Sequence, residues 1–259
     1  MSVSLGVESN QLLAVMHDRV SVNGAAMRIV KVVYPNMVDI WCISHTLDIV
    51  GDKFKTPNLH HFFTLWNSLF SHSFKARAVW KQQTGRAMPS GTTTRWWSRW
   101  QMMQQMLEQF GDIDLYLRQA DFSPSTCAKL LEILDNPQSS LLLRIELAAV
   151  VDVGIHFVKG TYNLEGDGIL VLSCYQEILR IRNAISANYF PNLTAVCREA
   201  CPTNPTYQQQ LIADGKKCVE PGIHYFNEKF GSGAFIQWQH LSTTNFPPLN
   251  CLRDGVNSC

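Results

Sequence analysis

The sequence predicts a short α/β segment followed by a long, mostly α-helical body, with helix dominating overall. Three observations carry that expectation. The first 55 residues hold two short apolar runs separated by a helical pattern. After Pro57 the strand signals stop. From there the chain is a succession of helical patterns punctuated by Pro, Gly and Ser.

The elements follow in order. Leu12 to Met16 is an apolar run that stops at His17-Asp18, as a buried strand does. Ser21 offers an N-cap, Ala25 to Val33 reads as helix, and Pro35-Asn36 ends it. Val38 to Cys42 is the second strand, and Ser44 is placed to cap a helix running to about Phe54. A β-α-β-α order makes the two strands parallel neighbours. Helices are then expected over Asn58–Ser71 and Ser73–Gln83, with a Gly85–Thr93 loop and a helix from Thr93 or Thr94 through Phe110. Further helices are expected near Asp112–Gln119, Ser125–Leu134, Ser139–Lys159, Ile169–Ala187, Leu193–Ala200 and Pro205–Phe230, with Thr161–Gly168 as a loop. The expected division is 1–56, 57–230 and an irregular tail over 231–259. Two strands are few for an independent sheet.

Apolar residues make up 46% of the 259 and charged residues 17%, which excludes a disordered chain and a uniformly basic nucleic-acid binder. The net charge of +1 hides an asymmetry. Of 22 basic residues, eight lie between Lys53 and Leu107, where there is no Asp or Glu. The remaining 14 face 21 acidic residues, so a window of +8 sits beside a remainder of −7. The window also holds Trp66, Trp80, Trp96, Trp97 and Trp100, five of the seven Trp. A basic, aromatic-rich stretch is how a nucleic-acid surface hides in a near-neutral protein. Eight irregularly spaced Cys are too sparse for a disulfide scaffold and read as reduced thiols. No signal peptide is evident, and the best apolar run, Leu141 to Val158, is broken by Arg144, Glu146 and Asp152. The expected setting is nuclear or cytoplasmic, with no membrane contact and no secretion.

Asp18 falls at the C-terminal end of a strand, where open α/β sheets place their sites. A carboxylate there is a candidate catalytic group and Mg²⁺ ligand, or simply a turn former. Cys42-Ile43-Ser44-His45 is a CxxH string, but a closed zinc site needs a second pair. Thr94-Arg95-Trp96-Trp97-Ser98-Arg99-Trp100 is the most distinctive stretch. On a helix, Trp96 and Trp100 share a face, and Arg95 and Arg99 an adjacent one. Arg pairs with phosphate and Trp stacks on an unpaired base. The alternative makes the Trp residues core anchors and the Arg stems a cover for apolar surface. Phosphate-binding Gly loops are absent, and no Ser-His-Asp or Cys-His nucleophile pattern stands out.

Taken in order, Asp18, the CISHTLD string at 42–48 and TRWWSRWQMM at 94–103 resemble hAT-family transposases. So do HDRVSVN at 17–23, VKVVYPN at 30–36, TYNLEGDG at 161–168 and CVEPGIHYFNEKF at 218–230. The resemblance covers about residues 10–230 and implies part of an RNase H-like domain interrupted by a helical insertion. It implies that Asp18 is one of three acids that bind two Mg²⁺ ions in the parent family. Cys42 and His45 would shape the site, and Arg95 and Trp96, with Arg99 and Trp100 beside them, would hold DNA of a hairpin or transposon-end type. The other two acids, the zinc-finger domain and the dimerisation segment of the family find no counterpart. A single carboxylate cannot hold a metal pair. The expectation is therefore a truncated, catalytically inactive transposase-derived protein that binds DNA and holds no stable cofactor. An oligomer remains open without that dimerisation segment. The alternatives are a helical protein-interaction module that does not bind DNA, or a metal-dependent nuclease completed by another chain.

Overall fold

The computed structural model describes residues 14–18, 21–89, 96–165 and 170–231. The chain begins with β1 (Ala14–His17), α1 (Ser21–Val33) and β2 (Val38–Trp41). The two strands pair in parallel, Ala14 against Val38 through His17 against Trp41, as the β-α-β order requires. α1 carries one buried side chain, Met27. Among its described residues none joins the main hydrophobic core, which begins at Ile43.

The helical body follows: α2 (Ile43–Asp52), α3 (Pro57–His72), α4 (Phe74–Thr84), a 3₁₀ turn (Trp96–Arg99), α5 (Trp100–Glu108), α6 (Phe110–Arg118) and α7 (Pro124–Asp135). It continues with α8 (Pro137–Asn163), α9 (Leu170–Ser186), α10 (Pro191–Ala200) and α11 (Pro205–Lys229). α8 is the axis. From Leu143 to Thr161 it is buried on nearly all sides, and α2, α3, α5, α7, α9, α10 and α11 all pack on it. A helix apolar all round belongs in the centre of a fold. By its packing α2 belongs to this body, although the sequence groups it with the strands.

Two buried carboxylates interrupt the apolar surface of α8, Glu146 at 4% exposure and Asp152 at 6%. Each receives the start of another helix. Glu146 accepts from the Leu59 backbone N–H at 2.8 Å and the Asn58 side-chain amide at 2.6 Å. Asp152 accepts from Leu193 N–H at 3.0 Å, Asn192 N–H at 3.2 Å and the Asn192 side-chain amide at 2.6 Å. α3 and α10 both open on Pro-Asn-Leu, and their own N-cap residues, Thr56 and Phe190, supply no side-chain bond. The carboxylates do that work from α8. They satisfy open N–H groups and place negative charge at the positive end of each helix.

Two aromatic clusters fill the rest. Trp66, Trp80, Phe70 and Tyr116 meet with ring centroids 4.9–6.1 Å apart, and the Tyr116 hydroxyl donates to Ala76 O at 2.9 Å. Phe54, Trp96, Trp97, Phe157 and Phe226 form the second.

Several expectations need correction. The helix expected from Thr93 or Thr94 through Phe110 is, over its described residues, a 3₁₀ turn followed by α5 and the start of α6. Three Trp within five residues pack against different elements, and the tighter turn aims them apart. α8 runs on to Asn163, through the start of the expected loop, because Gly160 lets Ile181 and Leu47 close in. Ser44 does not cap α2; its hydroxyl donates across the core to Leu164 O at 3.5 Å. The irregular tail lies, apart from Gly231, outside the described residues.

Burial raises the carboxyl groups of both Glu146 and Asp152 above the ordinary carboxylate range, against the pull of their N–H donors. A raised folded value makes stability greatest below the unfolded value and lowers it as pH climbs through the folded one. Chemical denaturation from pH 4 upward is expected to show that fall, and the Glu146→Gln/Asp152→Asn double variant to flatten it. Asp152→Ala leaves the α10 amides without their acceptor and is expected to cost about 3 kcal/mol in the same assay.

Candidate nucleic-acid interface

The parallel strands bring two of the motifs together. Cys42 N–H donates to His17 O at 2.6 Å, so the start of the CISH string lies beside the end of β1. Asp18 is exposed there, and the Asn23 side-chain amide donates to its carboxylate. His45 is exposed and Cys42 half-buried. A second acid, Asp39 of β2, is already engaged: His17 Nε2 sits 2.7 Å from one oxygen and Lys31 Nζ 3.6 Å from the other. Among the described residues no group of three His, Cys, Asp or Glu could hold a metal ion. The described residues around Asp18 do not fit a pair of Mg²⁺ ions, because the Asp39 carboxylate is bound to His17 and Lys31. The six described cysteines, Cys42 included, are free thiols.

The second and third motifs are joined by hydrogen bonds. Trp97 Nε1 donates to Leu47 O at 2.7 Å, and Trp97 N–H to Asp48 Oδ1 at 3.3 Å. Strings 50 residues apart thus form one brace between α2 and the 3₁₀ turn. Glycines admit it. A Cβ on Gly51 would overlap the Trp96 ring, and one on Gly154 would lie 2.6 Å from Trp100.

This brace changes the meaning of the sequence-selected DNA contacts. Arg95 lies outside the described residues. Trp96 is half-buried against Phe54 and Gly51. Trp100 is a core residue, 6% exposed, with Nε1 donating to Val151 O at 3.3 Å. A base cannot stack on a ring in that position, so the assignment of Trp100 as a stacking contact is corrected: its indole packs onto α8. Arg99 is half-buried.

The basic window is diluted in the same way. Lys75 pairs with Asp121 and Arg86 with Glu108, both at 2.5 Å. Arg77 is held by Phe70 O and Ser71 O and lies over the Phe74 ring. Lys53, Lys55 and Lys81 stay exposed and free of ion pairs among the described residues. Lys53 meets Lys229 across the Tyr225 ring, at 5.7 and 5.3 Å from its centroid, so a cation from α11 joins the window. Lys55 is tied to α11 by its N–H to Cys218 O at 2.8 Å.

Sequence reasoning missed a cavity of about 300 Å³ lined by Trp100, Gln104, Asp152, His156, Tyr189 and Asn192. Burial, with Arg180 and Lys159 nearby, holds the His156 imidazole below its ordinary value. It missed the Glu146 and Asp152 caps too, since they come from α8, 87 and 41 residues away from the amides they accept. One of those caps engages Asn192, at the start of α10.

Comparison with models of known protein families, with curated proteins and with solved structures finds no match. Among the described residues no helix is long and apolar enough to cross a membrane.

Gly51→Ala and Gly154→Ala are each expected to lower thermal stability by about 1–3 kcal/mol, since a rigid indole must give way. Trp97→Phe, which keeps a ring and loses the bond to Leu47 O, is expected to cost about 1 kcal/mol in the same melts.

Proposed function

We propose that this chain is a transposase-derived protein of the hAT type that binds nucleic acid and has no strand-cleaving activity of its own. The observation that carries the reading is the convergence of its motifs. Asp18, the 42–48 string and the Trp96–Arg99 turn are far apart in sequence, yet the first two meet at the carboxyl ends of parallel strands and the last two are hydrogen-bonded. An α/β pair with a carboxylate at its C-terminal end, leading into a helical body, is what part of an RNase H-like domain with a helical insertion requires.

Binding, in this reading, is electrostatic. Lys53, Lys55 and Lys229, with Arg95 and Arg99, supply phosphate contacts next to that turn. Counterion release then drives association and makes it depend on salt. Stacking falls to Trp96, whose ring is half-buried, and not to Trp100. The lone carboxylate of Asp18 serves as a remnant without a metal to hold.

The test is fluorescence anisotropy with a labelled DNA hairpin and a labelled single strand over a salt series. Affinity is expected to fall linearly on logarithmic axes. Lys53→Ala and Arg95→Ala should each weaken binding and shallow the slope by about one contact. A flat salt response, or slopes untouched by both substitutions, overturns the proposal.

A further inference from the structure

The cavity between α5, α8 and the start of α10 has no part in the nucleic-acid reading. Its volume of about 300 Å³ lies at the lower end of small-molecule sites, which run from about 300 to 1,000 Å³. Such a space suits a single ring with a short chain and is too small for a stretch of polymer.

The walls are apolar. Trp100, Ile155 and Pro191 line the cavity, and Tyr189 stands at its opening, 73% exposed. The backbone puts Tyr189 there. Asn188 takes the left-handed conformation after α9, with φ 50°, and the chain then leaves Tyr189 outside and Phe190 buried.

The polar groups along these walls have their donors engaged and their acceptors open. The side-chain amide N–H₂ of Asn192 donates to Asp152, and that of Gln104 donates to Glu108 at 2.9 Å. Their carbonyl oxygens accept no bond among the described residues. Asp152 accepts two N–H bonds at Oδ1 and one at Oδ2. A carboxylate takes about four, so one place is open on Oδ2. Asp152 Oδ2, Asn192 Oδ1 and Gln104 Oε1 are thus three acceptors on one small cavity.

Charge narrows the ligand further. Among the described residues the lining holds one carboxylate and no Lys or Arg. Burial, with Arg180 and Lys159 nearby, holds the His156 imidazole below its ordinary value, so at neutral pH it is uncharged and does not oppose a cation. Arg180 is itself met by Glu177 at 2.5 Å. An ammonium group brings three donors to the three open acceptors, and a cation gains from neighbouring Trp and Tyr rings.

We propose that this cavity binds a small arylalkyl ammonium compound, its –NH₃⁺ on Asp152, Asn192 and Gln104 and its ring among Trp100, Ile155 and Tyr189. The inference stands apart from the nucleic-acid reading, since the cavity is not built from Asp18 or from the exposed lysines near the Trp turn.

The experiment is isothermal titration calorimetry of the full chain with three probes of similar shape: phenethylammonium, neutral phenethyl alcohol and anionic hydrocinnamate. The ammonium is expected to bind about tenfold or more tighter than the alcohol, the preference of a charged over a neutral hydrogen-bonding group, and the carboxylate to bind weakest. Gln104→Met keeps the side chain's length and removes one acceptor; it should weaken the ammonium about tenfold. Tyr189→Ala removes an exposed ring without disturbing the core and should weaken it about two- to fivefold. Circular dichroism checks that both variants stay folded. Equal affinity for the ammonium and either other probe, no binding, or affinity unchanged by either substitution overturns the proposal. Such a failure leaves the DNA reading standing, because the two tests share no residue.

Discussion

Two carboxylates buried on one helix organise the body of this protein. Glu146 and Asp152 sit on α8 among apolar side chains, where an unpaired charge would be prohibitive. Each is made tolerable by the same arrangement: the N-terminus of a helix beginning Pro-Asn-Leu, offering a backbone N–H and an amide side chain. The two positions are six residues apart, so they leave α8 in different directions and fix α3 and α10 on separate sides. Apolar packing alone tolerates sliding by a fraction of a turn. A hydrogen-bonded charge does not, because a shift of one residue strands it.

With α3 and α10 fixed, the spaces left on α8 are filled by aromatic rings. The 3₁₀ turn and α5 deliver Trp97 and Trp100 to α8 and Trp96 to α2, over Gly51 and Gly154. This places α2 within the helical body and so positions the end of β2 that precedes it. The strand ends, with Asp18 and the CISH string, are therefore held by the Trp brace. A residue pattern that looks like a DNA grip thus acts first as a structural clamp. What it leaves for a ligand is the cations around it, some already neutralised by Asp121 and Glu108.

The β1-α1-β2 unit obeys a different balance. Parallel strands are normally covered on both faces, and here two strands carry one helix. Among the described residues, the core that serves the helical body begins at Ile43. Among the described residues this unit exposes several large apolar side chains, Val22, Ile29, Val32 and Val33 of α1 and Trp41 of β2 among them.

Much of this was legible beforehand. The βαβ order, the helical body and most helix positions follow from apolar period and from Pro and Gly punctuation, which are local properties. Charge segregation was legible too, since it needs only counting. The sequence could also pair Asp18 with the CISH string, because strand order brings both to one end. It could not say that Trp100 faces inward, since Trp in a basic stretch fits a core and a nucleic-acid surface equally well. Nor could it name the caps of α3 and α10. Local rules look to Thr56 and Phe190, whereas the acceptors stand 87 and 41 residues from the amides they bind. The sequence by itself determined which segments are helices and where charge accumulates. Only the tertiary structure decided which charges are spent on helix ends and ion pairs and which stay exposed, because that depends on what burial brings within hydrogen-bonding distance.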